Sequence, residues 1–302
     1  MHHLGKTAWG VFLAAVSITA FASTFVVGAA LTKRHGVSAE VLAVMRFVIA
    51  CAVMFAVEGA TKEKRRRLVD LTPREWLLCA TLGPVGSSVM AWCVFKGCSL
   101  VSTANASMAD ALAPLLMFAL ATIAARKINR VQVLGALFGF LGALFVIGIV
   151  HADGVALSAY SVGDVYVFFA AATWAAYSVY GRRTINRIGS GPYTCWTMFF
   201  GAALFALVLP FGDFVWPSTP TAWGLLVVLG LACTLLPFWT WNAAQKYLPV
   251  SSLGVSAYFT PIVAVLLAFL FLGEHVTLLQ GLGTLLVCAS ALVEFKGKGM
   301  KS

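Results

Sequence analysis

Charge is what this chain has least of. Only 11% of its 302 residues are Asp, Glu, Lys or Arg, while 61% are hydrophobic; an average soluble domain carries about 25% charged residues. So few charges cannot cover a water-exposed surface, which excludes a soluble globular domain. Histidine is scarce as well. His2, His3, His35, His151 and His275 all fall at the ends or in connections, so the serines of Gly86-Ser87-Ser88 lack a base to activate them. No apolar run contains paired carboxylates or a Glu-x-x-His pattern, and no Gly-rich loop with its lysine is present to cradle a nucleotide. The cysteines at 51, 79, 93, 98, 195, 233 and 288 form no Cys-x-x-Cys and have no His in metal-ligand spacing, so they read as small apolar packing residues. An enzyme, a metal site, a cofactor and direct use of ATP are therefore not expected.

What is abundant is long apolar runs. A helix needs about 20 apolar residues to cross a bilayer, and candidate spans fall near 8–30, 39–58, 75–95, 102–124, 130–150, 162–181, 191–211, 221–242, 250–272 and 276–295. They are too long and too uniformly apolar for the alternating strands of a membrane barrel. The expected fold class is an all-α integral membrane protein with ten transmembrane helices. Lys6, the apolar stretch after it and Ala20-Phe21-Ala22 imitate a cleavable signal peptide. The run continues through Thr24-Phe25-Val26-Val27 to Leu31, so an uncleaved first span is expected.

The net charge of +10 would suggest nucleic-acid binding in a soluble protein, but here the cations sit in the connections. With a cytoplasmic N-terminus, the inside segments hold Lys6; Lys62, Lys64, Arg65, Arg66, Arg67 and Arg74; Arg126, Lys127 and Arg130; Arg182, Arg183 and Arg187; Lys246; and Lys296, Lys298 and Lys301. The outside segments hold only Lys33, Arg34 and Lys96. Basic residues are retained on the cytoplasmic side, so both termini are expected inside, in a cytoplasmic (inner) cell membrane. The run 62–67 reads as a topology anchor touching anionic lipid, and no nucleic-acid partner is expected.

Self-comparison reveals a repeat. A shift of 147 residues aligns Gly83 with Gly230, Trp92 with Trp239 and Pro114 with Pro261; after a one-residue slip, Gln132 and Gly135 meet Gln280 and Gly283. A shift of 153 pairs Gly36 with Gly189 and Met45 with Met198. The halves are residues 1–151 and 162–302, each with five spans. An odd number of helices forces the second copy to cross in the reverse sense. The expectation is two inverted five-helix repeats, an architecture suited to exposing one central site alternately to either side.

The order of motifs resembles the EamA family of the drug/metabolite transporter superfamily. Its repeat ending appears as Tyr258-Phe259-Thr260-Pro261, Leu272-Gly273-Glu274 and Gln280-Gly281-Leu282-Gly283. The first half carries Ala113-Pro114 and Gln132-Val133-Leu134-Gly135, with Arg126-Lys127 where Gly-Glu would stand. Arg46-Phe47 is similar to the family's Arg-Phe in the second span, and Trp174-Ala175-Ala176-Tyr177 to its tryptophan-led second half; Phe21 replaces the tryptophan often seen in the first. The resemblance implies a ten-helix exporter or exchanger of small metabolites, often amino acids.

Two charges lie well inside spans, Arg46 and Asp110, at similar depth. Such groups are costly in lipid, so each should be paired, solvated or functional. Two readings stand: Asp110 binds a proton or a substrate ammonium while Arg46 holds a carboxylate, or the two neutralise one another. Arg46 could also snorkel to the interface. Pro114 frees the carbonyl of Asp110, and Pro261 that of Ala257, so both helices are expected to kink beside the central cavity. Trp92, Asn105, Trp174, Tyr177, Trp239, Asn242 and Tyr258 complete the candidate substrate-binding set; the rings suit an apolar or cationic ligand part, or else the interface belt. Gly135, Gly139 and Gly142 on one span, with Gly281 and Gly283 on its counterpart, allow close helix approach and a rigid or homodimeric face. A passive channel, a non-transporting membrane protein and, further off, a membrane enzyme are the alternatives to a transporter.

Overall fold

The fold comes from a computed structural model, which describes residues 2–100, 103–125, 130–146, 150–151, 154–155, 162–207, 214–260, 262–263, 266 and 277–299. Nearly all of them are helical. The helices are α1 (His2–Ala29), α2 (Ala39–Gly59), α3 (Lys62–Val69), α4 (Pro73–Pro84), α5 (Met90–Leu100), α6 (Thr103–Ala125), α7 (Arg130–Val146), α8 (Val162–Ile188), α9 (Ser190–Ala206), α10 (Pro220–Gly230), α11 (Leu236–Ala244), α12 (Val250–Ala257) and α13 (Leu278–Gly299). One minimal antiparallel pair, β1 (Val150–His151) with β2 (Gly154–Val155), matches Val150 to Val155 and His151 to Gly154. Among the described residues, four helical stretches are long and apolar enough to cross a membrane: Gly5–Thr32, Ala39–Gly59, Pro73–Val94 and Pro220–Ala244. Leu112–Ala124, Val133–Val146 and Leu278–Ser290 are shorter apolar helices. The molecule is a multi-pass membrane protein.

Three of the long stretches are not plain α-helix: Gly5–Thr32 runs into a terminal π-helical turn, Ala30–Arg34, and two others are interrupted in mid-stretch. A π-helical turn, Val85–Val89, joins α4 to α5, and another, Leu231–Leu235, joins α10 to α11. Each begins within two residues of a glycine of the pair aligned by the repeat, Gly83 and Gly230. The glycines lie where backbones crowd. A Cβ on Gly83 would sit 2.5 Å from the Thr197 carbonyl oxygen of α9, and one on Gly230 would sit 2.8 Å from Cβ of Ile49 on α2. A π turn widens the helix by one residue and redirects the helix beyond it.

The repeat also marks helix ends. Gly36 (φ 66°) and Gly189 (φ 101°) have positive φ, a conformation that costs glycine little and other residues more. In each, the N–H still donates to the carbonyl four residues back, Thr32 at 3.2 Å and Ile185 at 3.0 Å. Each therefore closes one helix before α2 or α9 begins.

The chain divides into two compact units, and each draws on both halves of the sequence: Met1–Trp92 with Ala176–Leu248, and Cys93–Ala175 with Pro249–Ser302. In the first, α1 packs on α11, α2 on α9 and α10, and α4 on α9. Lipid tails are as apolar as leucine, so close packing and buried polar contacts hold such helices together more than burial of oil. One apolar cluster joins Leu31, Val41, Leu42, Leu226 and Leu229, and another joins Met54, Leu68 and Cys195. In the second unit, α7 packs along α13, while α12 meets α6, α7 and α13.

A polar clasp fixes one end of the first unit. Thr72 caps α4 by accepting the Glu75 N–H, and Glu75 reciprocates by accepting the Thr72 N–H at 2.9 Å. The same carboxylate takes both arms of Arg187 from the end of α8, whose guanidinium also donates to the Asp70 carbonyl at 2.7 Å. Thr72→Ala is expected to lower stability by about 1 kcal/mol, read as a lower unfolding midpoint in detergent.

Candidate functional site

The site is built from side chains on α2, α8, α9 and α11 of the first unit. Arg46 lies mid-way along α2 and is 4% exposed. It does not snorkel: its Nε donates to Thr234 Oγ1 at 2.8 Å and its Nη2 to the Cys233 carbonyl at 3.4 Å, both in the π turn between α10 and α11. The sequence explains why that carbonyl is free, because Pro237, four residues on, has no N–H to give it. Thr24 of α1 also donates to it, at 3.0 Å. Thr234 in turn donates to the Leu229 carbonyl five residues back, at 2.7 Å. The guanidinium further lies 5.2 Å from the Phe47 ring centre. Among the described residues, no carboxylate forms an ion pair with Arg46.

A second polar group sits between α8, α9 and α11. Asn242, fully buried, donates to the Tyr177 hydroxyl at 2.8 Å and to Thr194 Oγ1 at 2.9 Å, and accepts from Gln245 Nε2 at 3.4 Å. The Tyr177 hydroxyl also meets Thr197 Oγ1 at 3.4 Å. One residue before Asn242, Trp241 donates its indole N–H to Ser178 at 3.1 Å. The position of Tyr177 depends on Gly86, where a Cβ would stand 2.3 Å from Cβ of Tyr177. The Gln245 amide oxygen and the Ser88 hydroxyl are buried without a hydrogen-bond partner among the described residues.

Rings link the two polar groups. Phe238 makes edge contacts with Phe21, Phe47 and Tyr177 at centroid distances of 5.5, 5.6 and 5.9 Å. Tyr177 also packs on Tyr193, 5.5 Å away. A fixed cation, a hydrogen-bonding amide and tyrosine, and a row of aromatic edges thus stand together in one unit. In this structure the cation and the amide are buried and hydrogen-bonded to the protein itself.

The remaining expected residues fall elsewhere. Trp92 is half-buried at the end of the first unit, whereas Trp239 is 39% exposed. Trp174 is half-buried on α8 in the second unit. Tyr258, also of that unit, is 1% exposed and lies over Gly139; its hydroxyl has no partner among the described residues. Asn105 and Asp110 belong to α6, but their side chains lie outside the described residues, and with them the Arg46–Asp110 pair. Pro114 is buried inside α6, where its carbonyl faces Gly254; Pro261 lies outside the described residues. Sequence reading did not single out Thr194, Thr234, Gln245 or Ser178. A hydroxyl in an apolar helix usually bonds back to its own turn, so nothing local distinguishes the three hydroxyls, and Gln245 reads as an ordinary polar residue at the end of α11.

The model of the EamA-like transporter family matches the chain twice, over residues 8–148 and 161–295. The chain is 27% identical over 259 residues to the uncharacterized transporter YyaM of Bacillus subtilis, covering 83% of this chain and 82% of that one. It is 26% identical over 273 residues to a probable terminal-alkyne amino-acid exporter of Streptantibioticus cattleyicolor, covering 90% and 87%. Against the aromatic amino acid exporter YddG of Ancylobacter novellus it is 30% identical over 176 residues, covering 57% and 60%. A solved crystal structure superposes with a TM-score of 0.81 at 23% identity, over 97% of this chain and 99% of that one, which establishes the shared fold.

Proposed function

This chain belongs to the EamA-like transporter family of the drug/metabolite transporter superfamily, and on that premise we propose that it works as a transporter rather than an enzyme and exports amino acids or related amines by alternating access. In this reading, ten helices form two inverted five-helix repeats, residues 1–151 and 162–302, with both termini in the cytoplasm of a cell bounded by this inner membrane. Coupling is to protons or to a counter-substrate, and Asp110 is the group that carries the proton.

The observation that carries the proposal is the pair of π turns, Val85–Val89 and Leu231–Leu235, each beginning within two residues of the aligned Gly83 or Gly230. Alternating access by inverted repeats needs two related elements that exchange shapes, and interrupted helices at matched positions suit that role. The names of two relatives, both amino-acid exporters, support the substrate class. Arg46 suits a carboxylate, the rings around Phe238 suit an apolar side chain, and Asn242 with Tyr177 supplies orienting hydrogen bonds.

The test is flux in proteoliposomes. Uptake of a labelled amino acid should saturate and should accelerate when unlabelled amino acid is loaded on the far side; a passive channel shows neither. Asp110→Asn is expected to lower flux and to abolish its pH dependence, while leaving substrate-induced thermal stabilisation in place. Full flux with unchanged pH dependence would remove Asp110 from the mechanism.

A further inference from the structure

The short helix α3 has no part in the transport cycle proposed for this chain, yet its charges are arranged. It joins α2 to α4, both within stretches apolar enough to span a membrane, so both of its ends hold it at the membrane surface. Its sequence, KEKRRRLV, turns Leu68 inward against Met54 and Cys195, and the Leu68 carbonyl accepts the indole N–H of Trp196 at 2.8 Å. Three of its cations are used internally. Lys64 donates to the Val57 carbonyl at 3.4 Å and stands 4.0 Å from Glu58, Arg65 donates to the Gly59 carbonyl, and Arg67 pairs with Glu63.

Lys62 and Arg66 are different. They are one helical turn apart, exposed, and without a side-chain hydrogen bond or ion pair among the described residues. Arg74, in the first turn of α4, is likewise exposed and unpaired among them. The nearby acids do not neutralise this face: Glu63 holds Arg67, and Asp70 and Glu75 face Arg187. Val69, one turn beyond Arg66, is 69% exposed. Two such cations ending in an exposed apolar side chain, on a helix tethered to the bilayer at both ends, match a phospholipid surface and not a polyanion in water.

We propose that the Lys62–Arg66–Val69 face of α3 binds the phosphates of anionic phospholipids. Lys62 and Arg66 contact the headgroups, Arg74 adds charge from α4, and Val69 enters the acyl boundary. This lipid contact requires membrane residence alone and is independent of the transported substrate.

The full chain, placed in phosphatidylcholine nanodiscs with a graded share of phosphatidylglycerol, tests it. The unfolding midpoint should rise with phosphatidylglycerol at low ionic strength and lose most of that rise at about 1 M salt, where screening acts within about 3 Å. K62Q/R66Q should match the parent in pure phosphatidylcholine and lose most of the lipid-dependent rise, with binding weakened about fivefold per cation. E63Q/R67Q, which removes a cation together with the acid it pairs with and so leaves the net charge of α3 unchanged, should keep the rise. An unchanged rise in K62Q/R66Q overturns the proposal, as does an equal rise produced in pure phosphatidylcholine by inorganic phosphate or by polyglutamate. Should the double variant fail to fold, R66Q alone carries the same comparison by native mass spectrometry of retained phosphatidylglycerol.

Discussion

Gly283→Val is expected to separate α7 from α13 and to lower stability by about 3 kcal/mol or more, at the upper end of overpacking costs. A Cβ on Gly283 would stand 2.6 Å from the Gly142 carbonyl oxygen and 2.8 Å from the Val146 N–H nitrogen; a Cβ on Gly142 would meet the Gly283 carbonyl and the Val287 nitrogen, both at 2.8 Å. These obstacles are backbone atoms, so no rotamer change relieves them. The helices must move apart, and the cluster of Ala143, Tyr258 and Val287 opens with them. Gly281→Ala is the control. Nothing lies within 4 Å of its added Cβ, so its effect should stay within about 0.5 kcal/mol. Unfolding midpoints of both variants in detergent check the pair; equal losses would mean that general helix disruption, and not the contact, is responsible.

Asn242→Leu is expected to cost about 2 to 3 kcal/mol and to abolish transport. The substitution keeps the volume roughly constant but strips Thr194, Tyr177 and Gln245 of a partner at once. An orphaned buried group costs about 1 to 3 kcal/mol in soluble proteins, whereas hydrogen bonds between membrane helices average nearer about 0.6 kcal/mol, which sets the total at the middle of the range. Thr197→Val should cost well under half as much, because Tyr177 keeps its shorter bond from Asn242. Equal losses in stability from the two variants would show that Asn242 is not the centre of the network. Proteoliposome flux alongside the unfolding midpoints separates lost function from lost fold.

The small-residue pattern illustrates what was legible in advance. Gly142 and Gly283 read as close-approach positions from their spacing, and they do interleave. Gly281 carried the same signal, yet nothing lies within 4 Å of where its Cβ would stand. On a helix, residues two apart point to different sides, and without knowing which side faces the neighbour the pattern names both. Arg46 is a similar case. Its presence in an apolar run marked it as a residue needing a partner, but Thr234 and Cys233 lie far off in the sequence, and no local periodicity links them. The run 62–67 is legible as a topology anchor touching anionic lipid but not as the helix α3, because eight residues rich in arginine fit an exposed coil or a helix equally well.

The sequence by itself determined the class of solvent, the correspondence of Gly36 with Gly189 and of Gly83 with Gly230, and the family. These follow from composition and spacing along one chain, where each residue's transfer cost acts independently of the fold. Only the tertiary structure decided that the chain regroups into units mixing both halves, that π turns sit beside the paired glycines, and which hydroxyls receive Arg46 and Asn242. Those outcomes depend on which helix faces meet, a choice made by shape and hydrogen-bond geometry between segments remote in sequence.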